Sequence, residues 1–142
     1  MNSEDFITYE QALALKKLGF KEKCFFFYEN ENRIRAFYVA AMDVLLNSNN
    51  IGGCVNRRKN IDDYTCDAPT LAQAQKWLRK EKKLSIEPVS GDTDEHGWEY
   101  GLVDRNLSPK FHFNCITYSS YEEALSAGIT ECIKILEKEC QN

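Results

Sequence analysis

The sequence predicts an α+β fold: about three helices packed on one face of a mostly antiparallel sheet of about five strands. Three observations predict it. Thr8-Tyr9-Glu10-Gln11, Thr70-Leu71-Ala72-Gln73 and Ser120-Tyr121-Glu122-Glu123 share one pattern, a hydroxyl residue followed three positions later by Gln or Glu. Such a pair is a capping box: the hydroxyl accepts from the third helical N–H, and the Gln or Glu side chain reaches back to the cap. Aromatic or alternating runs of strand length lie between these helix starts. The joins between several of those runs are short enough for hairpins, which favours antiparallel pairing.

The first helix is expected from about Tyr9 to Leu18, with Ala12, Leu13, Leu15 and Leu18 apolar and Gly19 at the position that ends a helix. The second runs from Leu71 to Lys83 and carries Ala74, Trp77 and Leu78 on one side. Its closing "RKEKK" places cations where the helix dipole favours them. The third shows Ala124, Gly128, Cys132, Leu136 and Cys140 at steps of four, flanked by Leu125, Ile129 and Ile133. A stripe of that kind must lie on an apolar surface.

That surface is expected to be the sheet. Residues 24–28, "CFFFY", are apolar on both faces, as in a central strand. Residues 33–40, "RIRAFYVA", follow a four-residue loop and complete a hairpin. Residues 85–90 form a strand that Pro88 places at an edge, because proline has no N–H for a ladder. Residues 97–104 put Trp98, Tyr100 and Leu102 on one face, and residues 110–117 alternate after a turn at 105–109. Residues 41–60 read as a loop or insertion in a single domain spanning 1–142. The order is α-β-β-α-β-β-β-α. The matching helix starts hint at a duplicated helix-plus-strands unit, although capping chemistry alone produces the same likeness.

The chain has 142 residues, of which 43% are hydrophobic and 28% charged, a balance that buries a core without disulfide or metal staples. Its net charge of −4 disfavours long nucleic acid as a partner. The first ten residues carry no basic and apolar leader pattern, and no apolar run approaches the ~18 residues a membrane span needs. We expect a cytoplasmic protein with no membrane partner. Six cysteines without a C-x-x-C pair read as reduced, buried thiols.

Several segments together carry a resemblance. Leu18-Gly19-Phe20 closes the first helix, and an aromatic strand beginning at Cys24 follows. Next come "APTLAQAQKWLR" from Ala68 to Arg79, Gly97-Trp98, and "YEEALSAGI" from Tyr121 to Ile129. The chain resembles a family of small proteins, without an assigned activity, encoded by Bacteroidetes genomes, their prophages and phages. The likeness covers most of the chain outside roughly residues 39–63, where this chain is longer than the pattern. "KEKC" also stands where the family often has an acidic residue and Pro before Cys. The resemblance implies a phage or mobile-element setting and no established enzyme activity. It also implies an anti-defence role of the kind some small phage proteins play, by sequestering nucleotide signals or capping a host protein.

The residues themselves point away from catalysis. Cys54, Cys66, His96 and His112 lack the close ligand pairs of a structural zinc site, so no metal is expected. Cys54 lies near Arg57, Arg58 and Lys59, but a loop cysteine beside cations reads as incidental rather than nucleophilic. No nucleophile elbow or phosphate-binding Gly-rich loop is present. Asp92, Asp94, Glu95 and Glu99 read as a solvated acidic loop. No enzyme activity and no cofactor are expected. Aromatics and cations remain: bases stack on aromatic or Arg planes, and phosphates take Arg or Lys. The candidate ligand-binding residues are Trp98, Tyr100, Arg57, Arg58, Lys59 and Arg79, with Lys80 a further cation. Trp77 is assigned to the core, and Trp98 stays open between core and pocket floor. The expectation is a non-enzymatic binding protein that sequesters a nucleotide-derived immune signal. The alternatives are an inhibitor that blocks a host defence protein, through the third helix or the edge near Pro88, and a homo-oligomeric accessory protein.

Overall fold

The computed structural model describes residues 3–36, 65–91, 97–106 and 110–142, the side chains of 110–115 excepted. The expected loop or insertion at 41–60 lies outside the described residues. The chain divides into two compact units: Thr8–Pro69, and Thr70–Asn142 together with Met1–Ile7.

The first unit contains α1 (Tyr9–Lys17), β1 (Phe26–Asn30), β2 (Arg33–Ala36) and β3 (Cys66–Asp67). Its capping box forms as the pattern predicts: Gln11 N–H donates to Thr8 Oγ1 at 3.2 Å, and Thr8 N–H donates to Gln11 Oε1 at 2.8 Å. Gly19 ends the helix at φ +94. There Phe20 N–H donates to the Leu15 carbonyl and Gly19 N–H to that of Lys16, the paired bonds of a Schellman motif. A Cβ at Gly19 would meet nothing within 4 Å, so Gly19→Ala isolates the backbone term. It should destabilise the first unit by about 1 kcal/mol, read from urea midpoints.

β1 is central in a sheet of order β2-β1-β3 with both neighbours antiparallel. This fits its run of apolar residues on both faces. The hairpin to β2 is tighter than expected, because Glu29 and Asn30 stay in the strand. Glu29 Oε2 then reaches Arg33 Nε at 3.1 Å and Arg35 Nε at 3.4 Å across the turn. Tyr9 meets Tyr28 edge-on, with centroids 5.4 Å apart, and α1 also packs against β3.

The second unit holds a 3-10 turn (Ser3–Asp5), α2 (Leu71–Glu81), β4 (Leu84–Ser90), β5 (Trp98–Asp104), β6 (Lys110–Tyr118) and α3 (Tyr121–Gln141). Its sheet is an antiparallel meander, β4-β5-β6. Thr70 and Gln73 form the second capping box in full. The third forms by half. Glu123 N–H donates to Ser120 Oγ at 3.1 Å, but the Glu123 carboxylate accepts from the Ser119 N–H and hydroxyl instead, the latter at 2.6 Å. Two donors on one residue outcompete the single cap N–H. These bonds hold the exposed Glu123 carboxyl below the usual carboxylate range.

The single five-stranded sheet is therefore corrected to two three-stranded antiparallel sheets, and the helices divide between them. The physical reason is β3. Two residues carry no readable period, yet they complete the first sheet by pairing with Phe27 and Tyr28. The topologies, β2-β1-β3 and β4-β5-β6, also differ, so the shared helix starts reflect shared capping chemistry rather than one repeated meander.

In the second unit, α3 buries Ala124, Leu125, Gly128, Ile129, Cys132, Ile133 and Leu136. Cys140, expected in that stripe, is exposed because the stripe ends a turn earlier. Gly128 lies directly over the sheet: a Cβ there would stand 2.5 Å from Ile86 Cγ2 and 3.3 Å from Tyr100 Cδ2. α2 packs beside α3 and against β4, burying Leu71, Ala74, Trp77 and Leu78. The outer edge of β4 is guarded. Gln75 Nε2 donates to the outward Ile86 carbonyl at 2.8 Å, and Pro88, two residues on, occupies another outward position without an N–H to offer. Edge strands so blocked resist pairing with a further strand. Among the described residues, no helix is long and apolar enough to cross a membrane.

Candidate functional site

Five cations of the second unit lie towards one end of its sheet, and local bonding explains how. α2 stops at Glu81 because Lys83 turns to φ +60, a left-handed conformation uncommon for a residue with a side chain. That turn delivers the chain into Leu84, which opposes Asp104 across the ladder. Arg105 N–H then donates to the Lys83 carbonyl at 3.0 Å, and Asn106 Nδ2 to the Lys82 carbonyl at 2.8 Å. The α2–β4 turn and the chain leaving β5 are thus tied together. Arg79 and Lys80 lie in the last helical turn, and Lys83 Nζ donates back to the Lys80 carbonyl at 3.0 Å.

Arg79, Lys80, Lys82, Lys83 and Arg105 therefore share one end of the sheet. Against them stand Glu81, exposed, and Asp104, buried with its carboxylate accepting from Asn106 N–H, and Glu131 of α3 acts with Asp104 on Cys132 nearby. Among the described residues no carboxylate pairs with these five cations. Lys82 Nζ sits 5.3 Å over the Trp77 ring, a cation–π contact. Trp77 itself is buried, as the apolar side of α2 predicts.

Of the expected ligand-binding residues, Arg79 belongs to this cluster. Tyr100 and Trp98 do not. Tyr100 is 5% exposed and packs against Gly128 under α3. Trp98 is half-buried and meets Tyr121 edge-on, with centroids 5.4 Å apart. Trp98 opposes Ser90 at the far end of β4 from Leu84. Six steps at ~3.3 Å separate the aromatic end from the cationic end by roughly 20 Å. Arg57, Arg58 and Lys59 lie outside the described residues, as do Cys54, His96, Asp92, Asp94 and Glu95. Lys82, Lys83 and Arg105 complete the cluster without having been singled out. The "RKEKK" run signals the first two, whereas Arg105 joins only through strand register.

Two of the buried thiols, Cys66 and Cys132, are chemically quiet. Burial pushes Cys132 up to about 12, with Glu131 and Asp104 adding to the effect. Burial likewise raises Cys66 to about 11 against the opposing pull of Lys16. A thiol held protonated is neither a nucleophile nor a metal ligand at neutral pH. Beside Cys66, burial and then the thiol raise Tyr28 to about 12. Among the described residues, no three His, Cys, Asp or Glu side chains gather as a metal site requires. Compared with protein-family models, with curated proteins and with solved structures, the chain gives no match.

Proposed function

We propose that the protein is a non-enzymatic phage or prophage binding protein that counteracts host defence by sequestering a nucleotide-derived immune signal. In this reading the cationic end of the second unit takes the phosphates. The observation that carries it is the convergence of Arg79, Lys80, Lys82, Lys83 and Arg105 on two turns bonded to each other. Phosphate oxygens are matched by Arg forks and Lys point charges, and a base stacks on a guanidinium plane.

Trp77 reports on the site, because an anion that draws Lys82 from the ring changes its emission. Titration with ADP-ribose and with a cyclic dinucleotide, each at low salt, is expected to shift that emission saturably for at least one probe. Lys80→Glu with Lys83→Glu should weaken the response at least about tenfold, since each charged hydrogen bond is worth ~1.5–3 kcal/mol. Trp98→Phe should leave it intact, as Trp98 lies at the other end. No response to either probe, or equal affinity in the charge-reversed protein, contradicts the proposal.

A further inference from the structure

Asn106 makes two hydrogen bonds where the chain leaves β5. Its N–H donates to Oδ1 of the buried Asp104 at 2.9 Å, and its side-chain Nδ2 donates to the Lys82 carbonyl at 2.8 Å. The first bond is an Asx turn, which fixes Asn106 against the end of the strand. The second reaches 24 positions back along the chain, to the C-cap residue of α2. Its acceptor is a carbonyl, so the amide nitrogen must be the atom that faces it.

The turn that receives this bond is not one a lysine prefers. Lys83 follows the α2 cap at φ +60, at a place where helices that turn left-handed usually have glycine. α1 uses that solution: Gly19 turns at φ +94, and N–H groups of the turn itself close the helix end. In α2 the carbonyls of the turn are bonded from the exit of β5, Lys82 by the Asn106 amide and Lys83 by the Arg105 N–H. Lys82, held in this way, keeps its Nζ 5.3 Å over the buried Trp77 ring, and Lys83 Nζ returns to the Lys80 carbonyl.

We propose that Asn106 is a positioning residue: its amide holds the α2–β4 turn left-handed and so keeps Lys82 on Trp77. Its bearing on a ligand rests on the sequestration reading above and acts through Lys82 and Lys83, since Asn106 is itself uncharged. The geometry it sets is present without any ligand.

Proton NMR of the full chain tests it. The ring current of Trp77 moves the ε-methylene protons of Lys82 upfield, and Lys82→Ala identifies them. In Asn106→Ala they should return towards the position of a free lysine, while the Ile129 methyls, buried under α3, keep theirs. Asn106→Asp keeps the side-chain shape without a proton to donate, and should act alike. Lys83→Gly added to Asn106→Ala should bring the upfield position back, because glycine turns left-handed without the amide. With whichever probe the parent protein binds, ADP-ribose or a cyclic dinucleotide, Asn106→Ala should weaken binding about fivefold, the worth of one hydrogen bond. An unmoved Lys82 signal overturns the proposal, as does a displaced one that Lys83→Gly does not restore. A shift shared by Ile129 overturns it too, since Asn106 would then support the whole unit rather than the turn. If the parent binds neither probe, the sequestration reading fails and the Lys82 signal still decides this one. If the parent binds and Asn106→Ala binds as tightly, positioning fails and sequestration stands.

Discussion

Gly128→Val should destabilise the second unit by about 3 kcal/mol, seen as a lower urea midpoint with little change in slope. Helix propensity alone argues the reverse, since glycine in a helix interior is about 1 kcal/mol worse than alanine. Packing decides the sign. Even a Cβ at this position stands 2.5 Å from Ile86 Cγ2, a methyl fixed close to a strand backbone by a side chain 1% exposed. Tyr100 blocks the other side at 3.3 Å. Either α3 lifts off the sheet, losing contacts along its buried stripe, or β4 shifts beneath it. Gly128→Ala should lie between the parent and valine. A neutral or stabilising valine would mean that α3 does not lie on β4 and β5 as described.

Alkaline pH should destabilise both units between about pH 9 and about pH 11. In the folded chain Cys66 titrates at about 11 and Cys132 at about 12, each raised from 9.0 chiefly by burial. Above about pH 9 the unfolded chain releases these protons while the folded chain keeps them. Stability is therefore complete below that value and falls as the pH climbs towards the folded ones. Each thiol removes about 1.4 kcal/mol per pH unit while only the unfolded chain has lost its proton, so each contributes a loss of roughly 2–3 kcal/mol by about pH 11, and Tyr28, raised to about 12, adds to the loss in the first unit. Against a typical domain stability of ~5–15 kcal/mol that loss is large. Urea melts from neutral to alkaline pH measure it. Cys132→Ala should flatten the dependence of the second unit alone. A stability that stays level from pH 8 to about 11 would show that the thiols are not shut away from water.

What the sequence makes legible here is local, and what it conceals is pairing. The Thr8 and Thr70 caps, the Gly19 stop and the α3 stripe each depend on residues a few positions apart, so pattern and structure agree. Pro88 at an edge follows from one missing N–H. The two sheets do not follow in this way, because β3 is two residues held by a strand nearly forty positions earlier in the chain. Glu123 departs from its box because Ser119 presents two donors, a competition that the S-x-x-E pattern does not encode. Trp98, Tyr100 and Arg79 have the residue types that nucleotide binding uses. The register Leu84↔Asp104 and Ser90↔Trp98 nevertheless sends the aromatics and the cation to opposite ends, and the same register brings Arg105 to Lys83.

The proposed function requires that the protein hold a nucleotide-derived signal without changing it. The direct measurement is to incubate the purified protein with a mixture of cyclic nucleotides and ADP-ribose derivatives, remove unbound compounds, denature the protein and weigh what it releases. One compound should be recovered at its original mass from the parent protein and little from the Lys80→Glu, Lys83→Glu protein. Release of a converted product, or of nothing from either protein, would contradict it.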